Sequence, residues 1–213
     1  MTRDEYIEKV KAKLDEFSPF EEPNSFIAAA GDIAYDKVKP IVSYIDHELE
    51  NATKFCLSSL PLSLLAKDVE KHQETIHINK GIGETKGTNY ANKRLSRVKT
   101  NEWERDVTHF FSSDDAEYLL QQNKHTRSGI AKPSVFFIPE DNKLELYSFP
   151  ESTKTTNAEI WSIDLLKRAE DVMSEVGDYI VIKCAQCVYD MLGNANGAAT
   201  MENEYKRKLN AGV

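Results

Sequence analysis

Pro133-Ser134-Val135-Phe136-Phe137-Ile138-Pro139-Glu140-Asp141-Asn142-Lys143-Leu144-Glu145-Leu146-Tyr147 is the stretch whose reading settles where strands enter this chain. Val135 to Ile138 is a short unbroken apolar run, the pattern of a buried strand. Glu140 to Lys143 supplies a turn. Beyond it Leu144 and Leu146 alternate with Glu145, Tyr147 and Phe149, the period of two that suits a sheet with one face covered. The two runs predict a hairpin. Upstream, Leu95 to Thr100 and Trp103 to Thr108 predict another. Between the two hairpins, Ser112-Ser113-Asp114-Asp115 has the Ser-x-x-Asp spacing of a helix-start capping box, and Tyr118, Leu119 and Leu120 give the short helix its apolar side. Asn123 to Lys132 reads as a polar loop.

Outward from this centre the patterns turn helical. Thr2-Arg3-Asp4-Glu5 is a Thr-x-x-Glu capping box, followed at helical spacing by Ile7, Val10, Leu14 and Phe17. Pro19 and Pro23 bracket a linker, and Ser25 caps a second helical region from Phe26. Pro40 starts or kinks a helix carrying Ile41, Ile45, Leu49, Ala52 and Cys56 on one stripe, about four turns that run to Leu57 before Pro61 stops them. Leu62, Leu64 and Leu65 form a packed corner, and Thr75 to Ile78 a short strand. After the centre, Ser152 to Asn157 reads as a polar loop and Glu159 to Ile163 as one more strand. Leu165, Leu166, Ala169, Val172, Met173 and Val176 restore helical spacing. Gly177-Asp178 permits a break before Tyr179 to Leu192, apolar on nearly all sides and so the core helix. Gly193 and Gly197 flank a turn. Ala198, Met201, Tyr205 and Leu209 make a terminal helix with the basic end Lys206-Arg207-Lys208.

At 213 residues, 40% of them hydrophobic, the chain fits one compact domain or a domain with an arm. Charged residues make up 29%, mean hydropathy is negative, and no apolar run approaches the roughly 20 residues of a membrane span, so a soluble protein without membrane association is expected. Met1 to Glu5 lacks the apolar core of a signal peptide. Cys56, Cys184 and Cys187 are too few, and odd in number, for a disulfide framework, which suits a reducing cytoplasm and makes the Asn51-Ala52-Thr53 sequon accidental. Net charge is −8 but unevenly spread. Between positions 80 and 99 the cations Lys80, Lys86, Lys93, Arg94, Arg97 and Lys99 face the single anion Glu84, a local excess of +5 that leaves −13 elsewhere. Such a chain does not coat nucleic acid generally, although one basic loop can touch it or an acidic protein surface.

The chemical motifs are near misses. Gly81-Ile82-Gly83-Glu84-Thr85-Lys86-Gly87-Thr88 has Lys86 and Gly87 in the wrong order for a phosphate-binding loop, and Lys86 stands where a dinucleotide fingerprint needs its third glycine. A mobile glycine-rich loop is the expectation. Cys184-Ala185-Gln186-Cys187 has redox or metal spacing but sits inside an apolar helix, away from a helix start that would stabilise a thiolate, and no second pair completes a zinc site. His72 and His77 lack the spacing of a helical zinc pair. Helix capping and linker solvation account for Asp114-Asp115 and Glu21-Glu22. No catalytic residue, cofactor site or metal site is expected, and the chain is not read as an enzyme.

Trp103-Glu104-Arg105, Asp114-Asp115 with Tyr118, Gln122-Asn123-Lys124, Thr126-Arg127-Ser128-Gly129-Ile130-Ala131-Lys132-Pro133 and Leu144-Glu145-Leu146-Tyr147-Ser148 together resemble the head-to-tail connector (neck ring or adaptor) proteins of tailed bacteriophages, particularly crAss-like phages and other phages of Bacteroidota hosts. The pattern covers about half the chain. It departs before Leu95, where Tyr90-Ala91-Asn92-Lys93-Arg94 stands in place of a Leu-Pro-x-Asp-Phe segment.

The resemblance implies an α+β fold: a helical bundle from N- and C-terminal helices with a small antiparallel β insertion of hairpins in the middle. It is laid out as one connector-like domain, with N-terminal helices over 1–74, the β-rich insertion over 75–163 carrying a basic loop at 80–99, and C-terminal helices over 164–213. It implies a virion structural protein of the neck, assembled in the bacterial host cytoplasm. Its partners would be further copies of itself in a ring, a dodecamer, together with the portal protein and other neck or tail proteins, and packaged DNA would pass through the channel without sequence-specific binding. Interaction residues on this view are Lys80, Lys86, Lys93, Arg94, Arg97, Lys99, Lys124 and Arg127. A ring asks each subunit for two different side faces, and a basic loop beside an acidic remainder supplies part of that pairing. Two other classes stand beside it: a nucleic-acid-binding accessory protein using loop 80–99, and a nucleotide-using enzyme with a degenerate phosphate loop. The single aromatic of that loop, Tyr90, and the missing general base weigh against them.

Overall fold

The computed structural model describes residues 1–16, 38–85, 88–123, 125–129, 131–150 and 152–211. The linker at Pro19 to Pro23 and the helical region expected from Phe26 lie outside them. The chain divides into two units, Met1–Leu65 with Leu166–Val213, and Ala66–Leu165. The segment 75–163 read as β-rich falls within the second.

In the helical unit, α1 (Arg3–Glu16) begins as its capping box requires: the Thr2 amide donates to Glu5 Oε2 at 2.9 Å and the Glu5 amide to Thr2 Oγ1 at 3.3 Å. α2 (Val38–Ser59) has Pro40 in its first turn, where a missing N–H costs nothing, and buries Ile45, Leu49, Ala52 and Cys56 along one stripe. The helix expected over 165–176 does not form as one piece: Ala169–Asp171 is a 3-10 turn, and its last residues belong to the core helix, α4 (Ser174–Met191), which runs through Gly177 without a break. Helical spacing misled because Ala169, Val172 and Val176 are buried while Leu166 and Met173 of the same repeat are exposed, so the apolar residues do not share one helix face, and because the Leu165 amide is held by the Asn92 carbonyl at 2.9 Å.

α4 packs against α1, α2 and α5 (Ala195–Ala211) and buries Tyr179, Ile180, Val181, Ile182, Cys184, Ala185, Val188 and Tyr189, as an apolar all-round helix should. Its polar atoms are spent on neighbours: Tyr189 Oη donates to the Leu14 carbonyl at 2.7 Å, and Cys184 Sγ to the Ile45 carbonyl at 3.6 Å. Gly193 (φ 73°) ends the helix in the left-handed region, and Asn194 Oδ1 accepts the Gly197 amide to start α5.

The second unit overturns the expected fold class. It holds a seven-stranded sheet curled into a half-barrel, in the order β3-β7-β1-β2-β6-β5-β4, so the chain is mixed α/β rather than a helical bundle carrying a small hairpin insertion. The strands are β1 (Glu70–Asn79), β2 (Ile82–Glu84), β3 (Lys93–Thr100), β4 (Phe111–Ser112), β5 (Ser134–Ile138), β6 (Lys143–Tyr147) and β7 (Thr155–Asp164), with α3 (Ala116–Gln122) between β4 and β5. All pairings are antiparallel except β4 with β5. The discrepancy comes from β1 and β7. They pair from Glu70↔Ser162 to His77↔Thr155, well beyond the short strands expected at Thr75 to Ile78 and Glu159 to Ile163, and they take in part of the expected loop at Ser152 to Asn157.

The β5–β6 hairpin is present, in register from Ser134↔Tyr147 to Ile138↔Lys143, with Asn142 (φ 52°) at its turn. Both of its faces are covered. Val135, Leu144 and Leu146 join one apolar cluster with Ile76, Val98, Trp103, Phe149 and Ile160, while Phe136, Ile138 and Tyr147 form another on the opposite face. The upstream hairpin is only half formed. Trp103 to Thr108 makes a single bridge, Val98↔Val107, with both amide–carbonyl bonds at 2.9 Å, because β3 has its long partner in β7.

Gly83 belongs here by crowding: a Cβ at this position would lie 2.5 Å from Ile76 Cγ2 and 2.7 Å from Phe149 Cε2. Gly83→Ala is therefore expected to destabilise the chain by about 1–3 kcal/mol through overpacking, measured as a lowered denaturant midpoint.

Candidate interaction surface

Most of the described part of the basic segment is not loop: residues 80–81 make the β1–β2 turn, 82–84 are β2 and 93–99 lie on β3, and Thr85 and Tyr90 between the two strands are buried. Thr85 exchanges backbone and side-chain hydrogen bonds with Leu144, at 3.1 and 2.9 Å. Lys80 and Gly81 turn the chain with φ of 51° and 81°, a conformation that glycine takes at position 81 without strain. Lys86 and Lys124 lie outside the described residues.

Lys93, Arg94, Arg97 and Lys99 all stand on β3, the terminal strand of the sheet. Charged side chains on an edge strand discourage unwanted strand pairing, so this is a structural use of the cluster as well as a surface for partners. Arg97 lays its guanidinium over the Trp161 ring at 3.7 Å and pairs with Asp106 at 3.4 Å, which fixes its direction. Burial holds the Arg94 pKa below its ordinary value. Arg127 serves a different purpose. It donates to the Lys80 carbonyl at 2.8 Å and to the Gln121 carbonyl at 3.0 Å, tying the β1–β2 turn to the end of α3. The eight residues therefore do not gather into one patch: four share the β3 edge, and Lys80 and Arg127 meet elsewhere.

At the other end of the sheet, β4 is two residues long and leads into α3. Half of the expected capping box appears in the turn between them, where Asp115 Oδ2 accepts the Ser112 amide at 2.6 Å. Asp114, Asp115 and Glu117 are exposed, and so are Leu119 (72%) and Leu120 (52%). Beside them a groove of about 630 Å³ runs between residues 105–111, α3 and residues 126–134; Arg105, His109, Arg127 and Lys132 line it together with Ser128 and Ser134. Sequence reasoning passed over Arg105 and Lys132 as interaction residues, although both lie within the stretch that carries the connector resemblance.

No family model and no curated protein matches the chain.

The densest set of ionisable groups is a closed network. Glu145 Oε2 accepts from Tyr147 Oη at 2.8 Å and Tyr118 Oη at 3.0 Å, and Lys143 reaches Glu84, Asp141 and Glu145 at 3.0, 3.1 and 3.4 Å. Burial opposes the charge on Lys143, but its bonds to Glu84 and Asp141 outweigh that and raise its pKa above the ordinary value. Burial, then the Glu145 bond, raises that of Tyr147. A lysine held charged and a tyrosine held neutral are poor proton acceptors; these groups fasten β2, β6 and α3 together.

His72, Glu74 and Tyr90 form a second group, with His72 Nε2 at 3.4 Å from Tyr90 Oη and 3.9 Å from Glu74 Oε1. Burial lowers the His72 pKa and raises that of Tyr90. The thiols behave as packed side chains: burial pushes Cys56 up to about 12 and Cys184 higher still, and Cys187 is half-buried with its pKa also raised by burial. Among the described residues no cluster of three or more His, Cys, Asp or Glu side chains is arranged to hold a metal ion, and no helix is long and apolar enough to cross a membrane.

Proposed function

We propose that the chain is a virion structural protein, a subunit of a ring that joins the capsid portal to the tail and extends the DNA channel. The observation that carries this is the connector resemblance of the stretch Trp103 to Ser148, which in the folded chain spans β4, α3, β5 and β6 as one hydrogen-bonded piece. The flanking helices add nothing to it, since the second unit is a seven-stranded sheet and not the small insertion that the resemblance implies. Partners on this proposal are further copies in a dodecameric ring, the portal, and other neck or tail proteins. The ring works without catalysis or cofactor, in the virion, after assembly in the host cytoplasm.

The second reading is a nucleic-acid-binding accessory protein using the β3 cations. Tyr90, the aromatic of that segment, is 2% exposed and so offers no stacking platform to a base. The two readings separate on purified full-length protein. A connector is expected to form closed rings, alone or on a portal complex, visible by particle imaging, and to bind duplex DNA weakly. A DNA-binding β3 edge would instead show log affinity falling against log salt with a slope of about −4 for its four cations. Strong binding with that slope, and no ring on the portal, would overturn the connector reading.

A further inference from the structure

The groove of about 630 Å³ between residues 105–111, α3 and residues 126–134 carries more positive charge than its own acids answer. Arg105 and Lys132 are exposed, and neither makes an ion pair among the described residues. Arg127 makes its hydrogen bonds to carbonyl oxygens, those of Lys80 and Gln121. Of the two acids in the lining, Asp106 is engaged by Arg97 at 3.4 Å from outside the groove, so Glu117 stands against three cations and the excess is +2. A buried donor faces the same space. Gln121 is 6% exposed, and its Oε1 accepts the Ser128 amide at 2.9 Å, which fixes the orientation of the side chain. Its Nε2 is thereby the outward end; it donates to no described residue and is not sealed from solvent. Phe111 and Leu120 add apolar surface, and Leu120 is 52% exposed.

We propose that this groove binds an acidic peptide segment, one in which carboxylates alternate with apolar side chains. Its carboxylates meet Arg105 on one wall and Arg127 and Lys132 on the other, an apolar side chain lies on Leu120 and Phe111, and Gln121 Nε2 donates to a peptide carbonyl. The distribution of charge decides against a phosphate group. A phosphate draws its donors to one point, whereas these cations belong to two separate segments of the lining with apolar surface between them, and Glu117 opposes a compact dianion more than a single carboxylate. The inference stands apart from the ring reading, because any protein that presents such a segment fits it.

The test is fluorescence anisotropy on the full-length protein with a labelled peptide in which glutamates alternate with leucines. Wild type is expected to bind it, and to bind the same peptide with glutamines in place of the glutamates at least about tenfold more weakly. R105E/K132E is expected to weaken binding at least about tenfold, whereas K206E/R207E, an equal change of charge on α5, is expected to leave it within about twofold. Gln121→Glu keeps the acceptor for the Ser128 amide and removes the open donor, and a loss of about two- to tenfold is expected. Circular dichroism verifies that each variant is folded. No binding by wild type, undiminished binding by R105E/K132E, or equal losses in the two charge-reversed proteins overturns the site. Displacement of the labelled peptide by inorganic phosphate or by duplex DNA at lower concentration than by the unlabelled peptide overturns the acidic peptide as its occupant. The ring reading is untouched by any of these results.

Discussion

Val188→Asp is expected to abolish cooperative folding of the helical unit. Val188 has no exposed surface on α4, and this helix meets α1, α2 and α5 at once. A carboxylate there loses its hydration, and the nearby polar atoms already have tasks: Tyr189 Oη is bonded to the Leu14 carbonyl and Cys184 Sγ to the Ile45 carbonyl. An unpaired buried carboxylate together with the lost apolar contacts costs more than about 4 kcal/mol, a large share of the stability of an ordinary domain. Ile182→Asp is expected to behave in the same way, since Ile182 is 3% exposed. The measurement is a urea titration followed by far-ultraviolet circular dichroism. A soluble, cooperatively melting protein carrying either substitution would show that α4 is peripheral.

Phe136→Ala is expected to be the most damaging truncation in the sheet unit, at about 3–5 kcal/mol. The Phe136 ring has no solvent exposure and touches three other aromatic rings, stacked on Phe111 at 5.3 Å and meeting Tyr118 and Tyr147 edge-on at 5.4 and 5.5 Å. Its removal leaves a hole beneath α3 and loosens the tyrosines whose hydroxyls satisfy Glu145, so a buried carboxylate is put at risk as well. Tyr118→Phe separates the two effects, since it removes the hydroxyl with its bond to Glu145 and keeps the ring, and about 1 kcal/mol is expected from it. A Phe136→Ala loss no larger than that of Tyr118→Phe, in the same titration, would show that the aromatic cluster does not hold this face together.

The parts of the fold that could be read from sequence are those where one local pattern decides. Val135 to Ile138 is an apolar run bounded by a turn, and the hairpin is there. Thr2 and Glu5 satisfy each other, and α1 starts where they stand. β1 is different, because its structure is imposed by its partner: Lys71, Gln73 and Thr75 are exposed, Ile76 is its one fully buried residue, and the alternation has almost no apolar contrast to detect. What makes Glu70 to Gln73 a strand is the backbone ladder to β7, formed with residues far along the chain. The basic cluster was visible as charge. That Arg97 spends itself on Trp161 and Asp106, and Arg127 on two carbonyls, depends on tertiary neighbours that no local window contains.

The helical unit takes its residues from both sides of the sheet unit, 1–65 and 166–213, whereas the sheet unit is one unbroken segment. Synthesis runs from the N-terminus, so the two reach completion at different times. Every strand partner of the sheet has left the ribosome once Asp164 has, but the apolar stripe of α2, with Ile45, Leu49 and Cys56, has to wait for α4 at Ser174–Met191. At roughly 5–20 residues per second the interval lasts seconds, ample for a stripe of that kind to find a wrong partner. The most aggregation-prone moment in the life of this chain thus falls between the emergence of α2 and that of α4, and a slower ribosome over residues 60–190 prolongs it.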